Sequence, residues 1–434
     1  MTISRAVLAA TLIAGGTLEA ATAAAQSPLE SLRRQQQGQR GQREQSEEGE
    51  QVQRQEARIP NLSREESRAI LPLLEAVRAA NWTAANAGLP AAQAGARSPG
   101  ARYLVGQLML EIGRGTQSQQ IQSQAVDAMI ASGGAPADVL PNLVAAQAGF
   151  ALQGNNVATA EAPLTRLLEL DPNNVDRIRQ LALVKVHLNK RPEALVLFRR
   201  ALQLSEAGGQ RAPEDLHRAA LAAAYEGRML QPSLELSRAM VRAYPSAENW
   251  RSALAIYSEL GGLEAGVKLD LRRLMRAAGA LAGERDYYEY AESVNRAGLP
   301  AEAKAVLDEA LGRNVFTTGL GAARALLALA TRRVPEDRAA LPGLKTRALA
   351  GSSGLDARTA GDVYYGYGQY AEAAGLYRAA LQKGGDDANL INTRLGAALA
   401  QAGQRAEAEA ALRAVTGARA ELAQFWLLWL STRS

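Results

Sequence analysis

Three groups of residues in this 434-residue chain have the types and spacing to do chemistry. Glu292-Ser293, in YAESVNRAG, offers a carboxyl group able to act as a general acid. That work requires an apolar cleft to raise the pKa of the glutamate. Gly366-Tyr367-Gly368-Gln369-Tyr370-Ala371 fits G-x-G-x-x-A, the glycine spacing of a turn that cradles a dinucleotide pyrophosphate. Asp362 precedes it, and Asp386 and Asp387 follow at about the distance, roughly 20 residues, at which an acid would meet the ribose. His187 and His217 are the chain's two histidines, so any imidazole dyad or metal site must use them. They lie 217 − 187 = 30 residues apart, and each reads as a half-buried structural histidine. No H-E-x-x-H spacing and no Gly-x-Ser-x-Gly elbow occurs. The absence of cysteine excludes disulfides, thiolate metal sites, a cysteine nucleophile and lipid attachment through sulfur. No strand is legible around the glycines, and Gly368 recurs as Gly403. The sequence therefore assigns no catalytic, cofactor-binding or metal-binding residue.

Aromatic and apolar residues give a second kind of candidate. In YYGYGQYAEAAGLYRAAL (364–381), Tyr364 and Tyr377 fall on the face that packs, while Tyr365 and Tyr367 point away in this register. Those two rings are candidate contacts for a peptide or a sugar. The last helical segment, ELAQFWLLWL (421–430), sets Leu422, Phe425, Trp426 and Trp429 on one stripe. Leu427 and Leu428 face elsewhere, which leaves two readings. Either a capping helix folds back and is buried, or Leu427 and Leu428 form a docking surface for a partner or a second copy.

The elements that must position these residues are helices. Apolar residues make up 47% of the chain but aromatics only 5%, so the core rests on Ala and Leu packed through small side chains. The net charge is +5 with a pI near 9.4, basic enough to suit an anionic partner but not an Arg/Lys-rich nucleic-acid binder. Residues 1–25 read as a signal peptide: Arg5, an apolar run over 6–18, then Ala23-Ala24-Ala25 before a cut at Gln26. That run is short for a membrane span, so no transmembrane segment is expected after cleavage, and the expected location is the periplasm or beyond. Residues 26–60 form a Gln/Arg/Glu-rich linker with too little apolar surface to fold; its 33–58 stretch reaches roughly 28 Å as a coil.

Past Ile59-Pro60 a repeat appears. Gly361, Gly368 and Ala373 match Gly396, Gly403 and Ala408, each 35 residues later, and Ala160 matches Ala194 at a shift of 34. On these residues the chain resembles the tetratricopeptide-repeat family. Gly361, Tyr364, Ala373, Tyr377 and Ala380 fill the family's positions in one unit, and Leu181, Ala182, Ala194, Phe198 and Ala201 in another. Trp250, Ala253 and Tyr257 repeat the spacing, as do Tyr287, Ala291, Gly298, Ala303, Leu307 and Ala310. Asp171-Pro172-Asn173 and Tyr244-Pro245 stand where second helices exit. The resemblance implies an all-α, right-handed superhelical solenoid of antiparallel helix pairs over 61–434. Gly- and Ser-rich stretches near 95–140 and 312–358 mark irregular units.

What the resemblance implies about function is a non-catalytic protein-binding scaffold. In exported bacterial members it implies envelope assembly or polysaccharide secretion. Cellulose-export proteins place such repeats before an outer-membrane barrel; no barrel-like run occurs here, so this chain would meet a separate pore. Two other classes stay open. Periplasmic lytic transglycosylases join a helical superhelix to a catalytic Glu followed by Ser, which Glu292-Ser293 matches, but the following Gly-Leu-Met-Gln run is absent. Direct binding of an anionic polysaccharide by the basic surface is the third.

Overall fold

A computed structural model describes residues 62–207 and 209–433, so the signal peptide and linker expected over 1–60 lie outside the described residues. The described residues hold twenty α-helices and no strand. They divide after Arg211 into two compact units. Unit 1 contains four helix hairpins: α1 (Arg64–Arg78) with α2 (Trp82–Gly95), α3 (Pro99–Gly115) with α4 (Gln119–Ala131), α5 (Leu140–Gln153) with α6 (Val157–Leu170), and α7 (Val175–His187) with α8 (Arg191–Ala207). Unit 2 contains α9 (Glu214–Glu226) with α10 (Leu230–Ala243), α11 (Ala247–Leu260) with α12 (Ala265–Ala277), and α13 (Gly283–Arg296) with α14 (Pro300–Gly312). A single long helix, α15 (Leu320–Ala350), follows. The unit ends with α16 (Gly354–Gly366) on α17 (Tyr370–Lys383), α18 (Ala388–Gln401) on α19 (Arg405–Arg413), and a last helix α20 (Ala420–Ser431). Each unit is an all-α stack of antiparallel hairpins.

The hairpins follow from three local devices. Polar side chains close the helix starts: the hydroxyls of Ser63, Ser98 and Ser118 accept N–H groups of α1, α3 and α4, each such cap being worth about 1 kcal/mol. The step from first to second helix passes through one left-handed residue, such as Gly368 at φ 71° and Gly403 at φ 75°. Small residues then let the two helices close. A Cβ added to Gly361 would meet the Tyr377 ring at 2.7 Å, and one added to Gly396 would meet Leu412 at 2.5 Å. Ala373, Ala380 and Ala408 are fully buried at the same joints. Replacing Ala373 with Leu is expected to overpack the α16/α17 joint and cost about 1–3 kcal/mol; a lowered urea midpoint with an unchanged m value is the measurement.

Of the two stretches expected to be irregular, one is regular. Residues 99–131 hold a regular hairpin, α3 on α4, where irregularity was expected; only the connection over 132–139 is irregular. Residues 312–358 do break the pattern, and the repeat itself explains how. Counting back 35 residues from Gly361, Gly368, Ala373 and Ala380 gives Leu326, Arg333, Arg338 and Lys345. Every small residue that a hairpin joint needs is large here, and the turn glycine is arginine. The segment runs straight through the position of that turn as 31 residues of helix, with Pro335 and Pro342 inside it. Only Ala323, Ala330, Leu341 and Ala348 of α15 are buried, in one stripe. Its start is held from α13: Glu284 accepts the N–H and hydroxyl of Thr317, the N–H and hydroxyl of Thr318, and the N–H of Gly319. Those donors, Thr317's first, hold the Glu284 carboxyl well below the usual carboxylate range.

Candidate partner-binding surfaces

Tyr365 does not point away from the packed face. It is 6% exposed, its ring lies 4.5 Å from the Arg273 guanidinium carbon, and Tyr370 meets it edge-on at 5.0 Å. The reason is that α16 packs on two sides: Gly361 faces Tyr377 of α17, and Gly366 faces Glu302 of α14. A helix covered twice has no free side for Tyr365. Tyr367 is half-buried; its hydroxyl lies 3.0 Å from the Asp337 carboxylate and 3.1 Å from the Val334 carbonyl, and its ring lies under Arg338 at 5.4 Å. Leu428 is buried and Leu427 half-buried, because α20 folds back along unit 2. Phe425 meets the rings of Trp250 at 6.5 Å and Tyr257 at 5.8 Å. Trp429 donates from its indole N–H to the Ala277 carbonyl at 3.1 Å, and Arg238 pairs with Glu421. In this structure the buried members of the group, Tyr365 and Leu428, offer little surface.

The residues read for chemistry are dispersed. Glu292 sits half-exposed in an ion pair with Arg296 at 2.7 Å, without the apolar cleft a general acid needs. Gly366 ends α16 and Gly368 makes the hairpin turn, so the glycines serve a helix joint instead of a strand-to-helix loop. Asp386 pairs with Arg358, and Asp387 caps α18 by accepting the N–H groups of Asn389 and Leu390. His187 is exposed at the end of α7, whereas His217 is buried with Tyr244 edge-on at 6.0 Å.

Sequence reasoning missed the largest concentration of charge. Inside unit 2, three carboxylates (Asp270, Glu302, Asp362) and three guanidiniums (Arg273, Arg394, Arg419) are each less than a tenth exposed. Arg273 grips Glu302 through two nitrogens at 2.9 and 2.7 Å and reaches Asp270 at 3.2 Å. Arg394 donates to Asp270 at 3.0 Å and to Asp362, and Arg419 donates to Asp270 at 2.6 Å. Tyr290 donates to Glu302 at 2.6 Å and Tyr377 to Asp362 at 2.7 Å. Burial alone would raise Asp270, but the charges of Arg394, Arg273 and Arg419 outweigh it and bring the carboxyl below its ordinary value. For Glu302 burial is likewise opposed, by Arg273 first, with the same net lowering. Burial raises the Tyr290 and Tyr377 hydroxyls, which stay protonated donors. Three positive and three negative groups balance, with every acid bonded, so the cluster is a structural joint of α12, α13, α14, α16, α17, α18 and the turn before α20.

The joint of α16 with α17 recurs in α18 with α19: glycine against the partner helix, a left-handed turn glycine seven residues on, and a buried alanine five residues after that. The described residues form a tetratricopeptide-like stack of helix hairpins. No family model and no curated protein matches the chain. Among solved structures it is similar to a tetratricopeptide repeat protein from Parabacteroides merdae, at 10% identity and a TM-score of 0.27, over 78% of this chain and 100% of that one. It is also similar to Naa15/Naa10 bound to HypK-THB, at 14% identity and a TM-score of 0.27, over 82% of this chain and 65% of that one. Overlaps that low carry no argument, and the assignment stands on the hairpins. In a tetratricopeptide-like stack each helix is normally covered by a hairpin partner, which makes α15 the exception. Exposed residues dominate it, Leu329 and Leu349 among them at 41% and 46%. It carries six basic residues (Arg324, Arg332, Arg333, Arg338, Lys345, Arg347) against Glu336 and Asp337, a net 6 − 2 = +4.

Proposed function

We propose that this protein is a non-catalytic scaffold that holds protein partners in the bacterial cell envelope, in support of exopolysaccharide secretion or envelope assembly. The observation that carries the scaffold reading is the hairpin stack, whose groups able to do chemistry are engaged in holding helices together. Glu302 and Asp362 bind buried arginines, Glu284 closes the start of α15, and Glu292 pairs on the surface. The envelope reading is supported by the export pattern of residues 1–25 and rests on the sequence.

The test is fractionation of the native host with intact-mass analysis of the purified chain. Periplasmic protein beginning at Gln26 is the expected result; unprocessed protein in the cytoplasm overturns the envelope reading. The enzyme class is checked separately. Purified protein is expected to release no muropeptides from peptidoglycan, and Glu292→Gln to change neither that result nor the helical circular dichroism. Release that Glu292→Gln abolishes would replace the scaffold with a glycan-cleaving enzyme.

A further inference from the structure

We infer that the outward face of α15 is a docking site for an acidic helix of a partner protein. The inference rests on the scaffold reading and names the surface and the chemistry of its partner. Its first support is the repeat. Each neighbouring unit supplies two helices that cover one another, whereas this unit supplies one, with Leu326, Arg333, Arg338 and Lys345 standing 35 residues before the small residues of the next joint. The side of α15 opposite its buried stripe therefore lacks the helix that covers it elsewhere.

The second support is the make-up of that side. Ala325, Leu329, Arg332, Ala339, Gly343 and Arg347 follow one another at helical spacing and are all exposed. Small residues let a second helix approach closely, and Leu329 gives it an apolar anchor. The third support is charge. Elsewhere in unit 2 most arginines are engaged, for example Arg251 with Asp286, Arg272 with Glu289 and Arg276 with Glu309. Arg324, Arg332, Arg333 and Arg347 have no carboxylate partner among the described residues. Glu336 lies on the same side, so the face as a whole is basic without being uniformly so. Carboxylates spaced along a partner helix would meet those guanidiniums bidentately.

Two labelled synthetic helices of Ala and Leu serve as probes against the full chain, one with Glu at every fourth position and one with Gln in its place. Fluorescence anisotropy is expected to give a dissociation constant at least about ten-fold lower for the Glu helix, with the preference falling as salt rises. The double variant Arg332→Glu/Arg347→Glu is expected to lose about ten-fold or more, while Arg242→Glu, an exposed change outside α15, stays within about two-fold. Leu329→Ala is expected to weaken both helices. Equal binding of the two probes, or no response to the double variant, overturns the inference. So does preferential capture, through the same arginines, of phosphatidylglycerol vesicles or alginate over the Glu helix. A photo-crosslinker placed at Ala325, and separately at Val196, separates this failure from that of the scaffold. Protein crosslinks at Val196 alone sink the α15 site and leave the scaffold standing, crosslinks at neither position sink both, and crosslinks at Ala325 that the double variant removes support both.

Discussion

Asp270→Ala is expected to destabilise unit 2 by about 3–5 kcal/mol, the range for breaking a buried ion pair from one side. Asp270 is 2% exposed and is contacted by Arg273, Arg394 and Arg419. Its loss strands positive charge in a site that water cannot reach. The cost comes from that stranding more than from the attraction lost, so Asp270→Asn, which keeps oxygen and shape but not charge, is expected to cost less than the alanine and more than a surface change. Hydrogen exchange read over residues 212–433 locates the loss. A stability within about 0.5 kcal/mol of the parent, the range of ordinary surface substitutions, would show that the cluster is solvated in solution. The same geometry sets an acid limit. The carboxyls of Asp270 and Glu302 are held below their ordinary values in the folded chain. Their contribution is therefore complete above the ordinary carboxylate range and is lost as pH falls through the folded values. Thermal scans at decreasing pH should show unit 2 losing stability below about pH 4. The Asp270→Asn variant should show a shallower dependence.

Trp426→Ala carries the second large effect, about 3–5 kcal/mol for removing a large buried aromatic side chain. Trp426 is fully buried and meets Trp429 edge-on at 5.4 Å, while its neighbour Phe425 sits against Trp250 and Tyr257. With the indole gone, α20 keeps the indole bond of Trp429 to Ala277, the pair of Arg238 with Glu421, and Arg419 on Asp270. Exchange of the backbone amides of residues 420–431 should rise well above that of α18 and α19. Unchanged exchange there would mean that α20 does not depend on this packing.

How much of this was legible in the sequence follows the turn chemistry. At four hairpin turns of unit 2 the left-handed residue is a glycine, Gly262, Gly298, Gly368 or Gly403. In the other hairpins the same conformation falls on Ala80, Gln117, Asn155, Asn189 and Arg228, with φ between 51° and 58°. No glycine marks the turn at Gln117, and the Gly- and Ser-rich text around it reads as interruption, which is why α3 and α4 were missed as a regular pair. The charge cluster was hidden for another reason. A helix with scattered Asp and Arg reads as a solvated face, and two of the three arginine partners of Asp270 lie 124 and 149 residues away. The one available signal was register: Asp270 lies three residues after Val267 and one before Leu271, on an apolar stripe, as Arg394 does between Ile391 and Leu395. Tyr365 was misplaced because its helix was assigned one packed face when it has two.

The return of α20 to the beginning of unit 2 has a consequence for how the two units fold. In unit 1 the side-chain bonds that link hairpins reach about one repeat, such as Ser98 to Glu66 over 32 residues and Lys190 to Glu161 over 29. Such a unit can form in any order, hairpin by hairpin. Unit 2 closes contacts over 152 residues from Trp429 to Ala277 and over 183 from Arg238 to Glu421. Its contact order is correspondingly high, and high contact order slows folding. The hairpins of unit 2 can assemble early, but Asp270 meets Arg419 only once residues 419–431 have been made and have folded back. Until then Asp270 lacks Arg419 and Arg238 lacks Glu421, so the first and later hairpins of unit 2 hold a buried acid and an arginine short of one partner each.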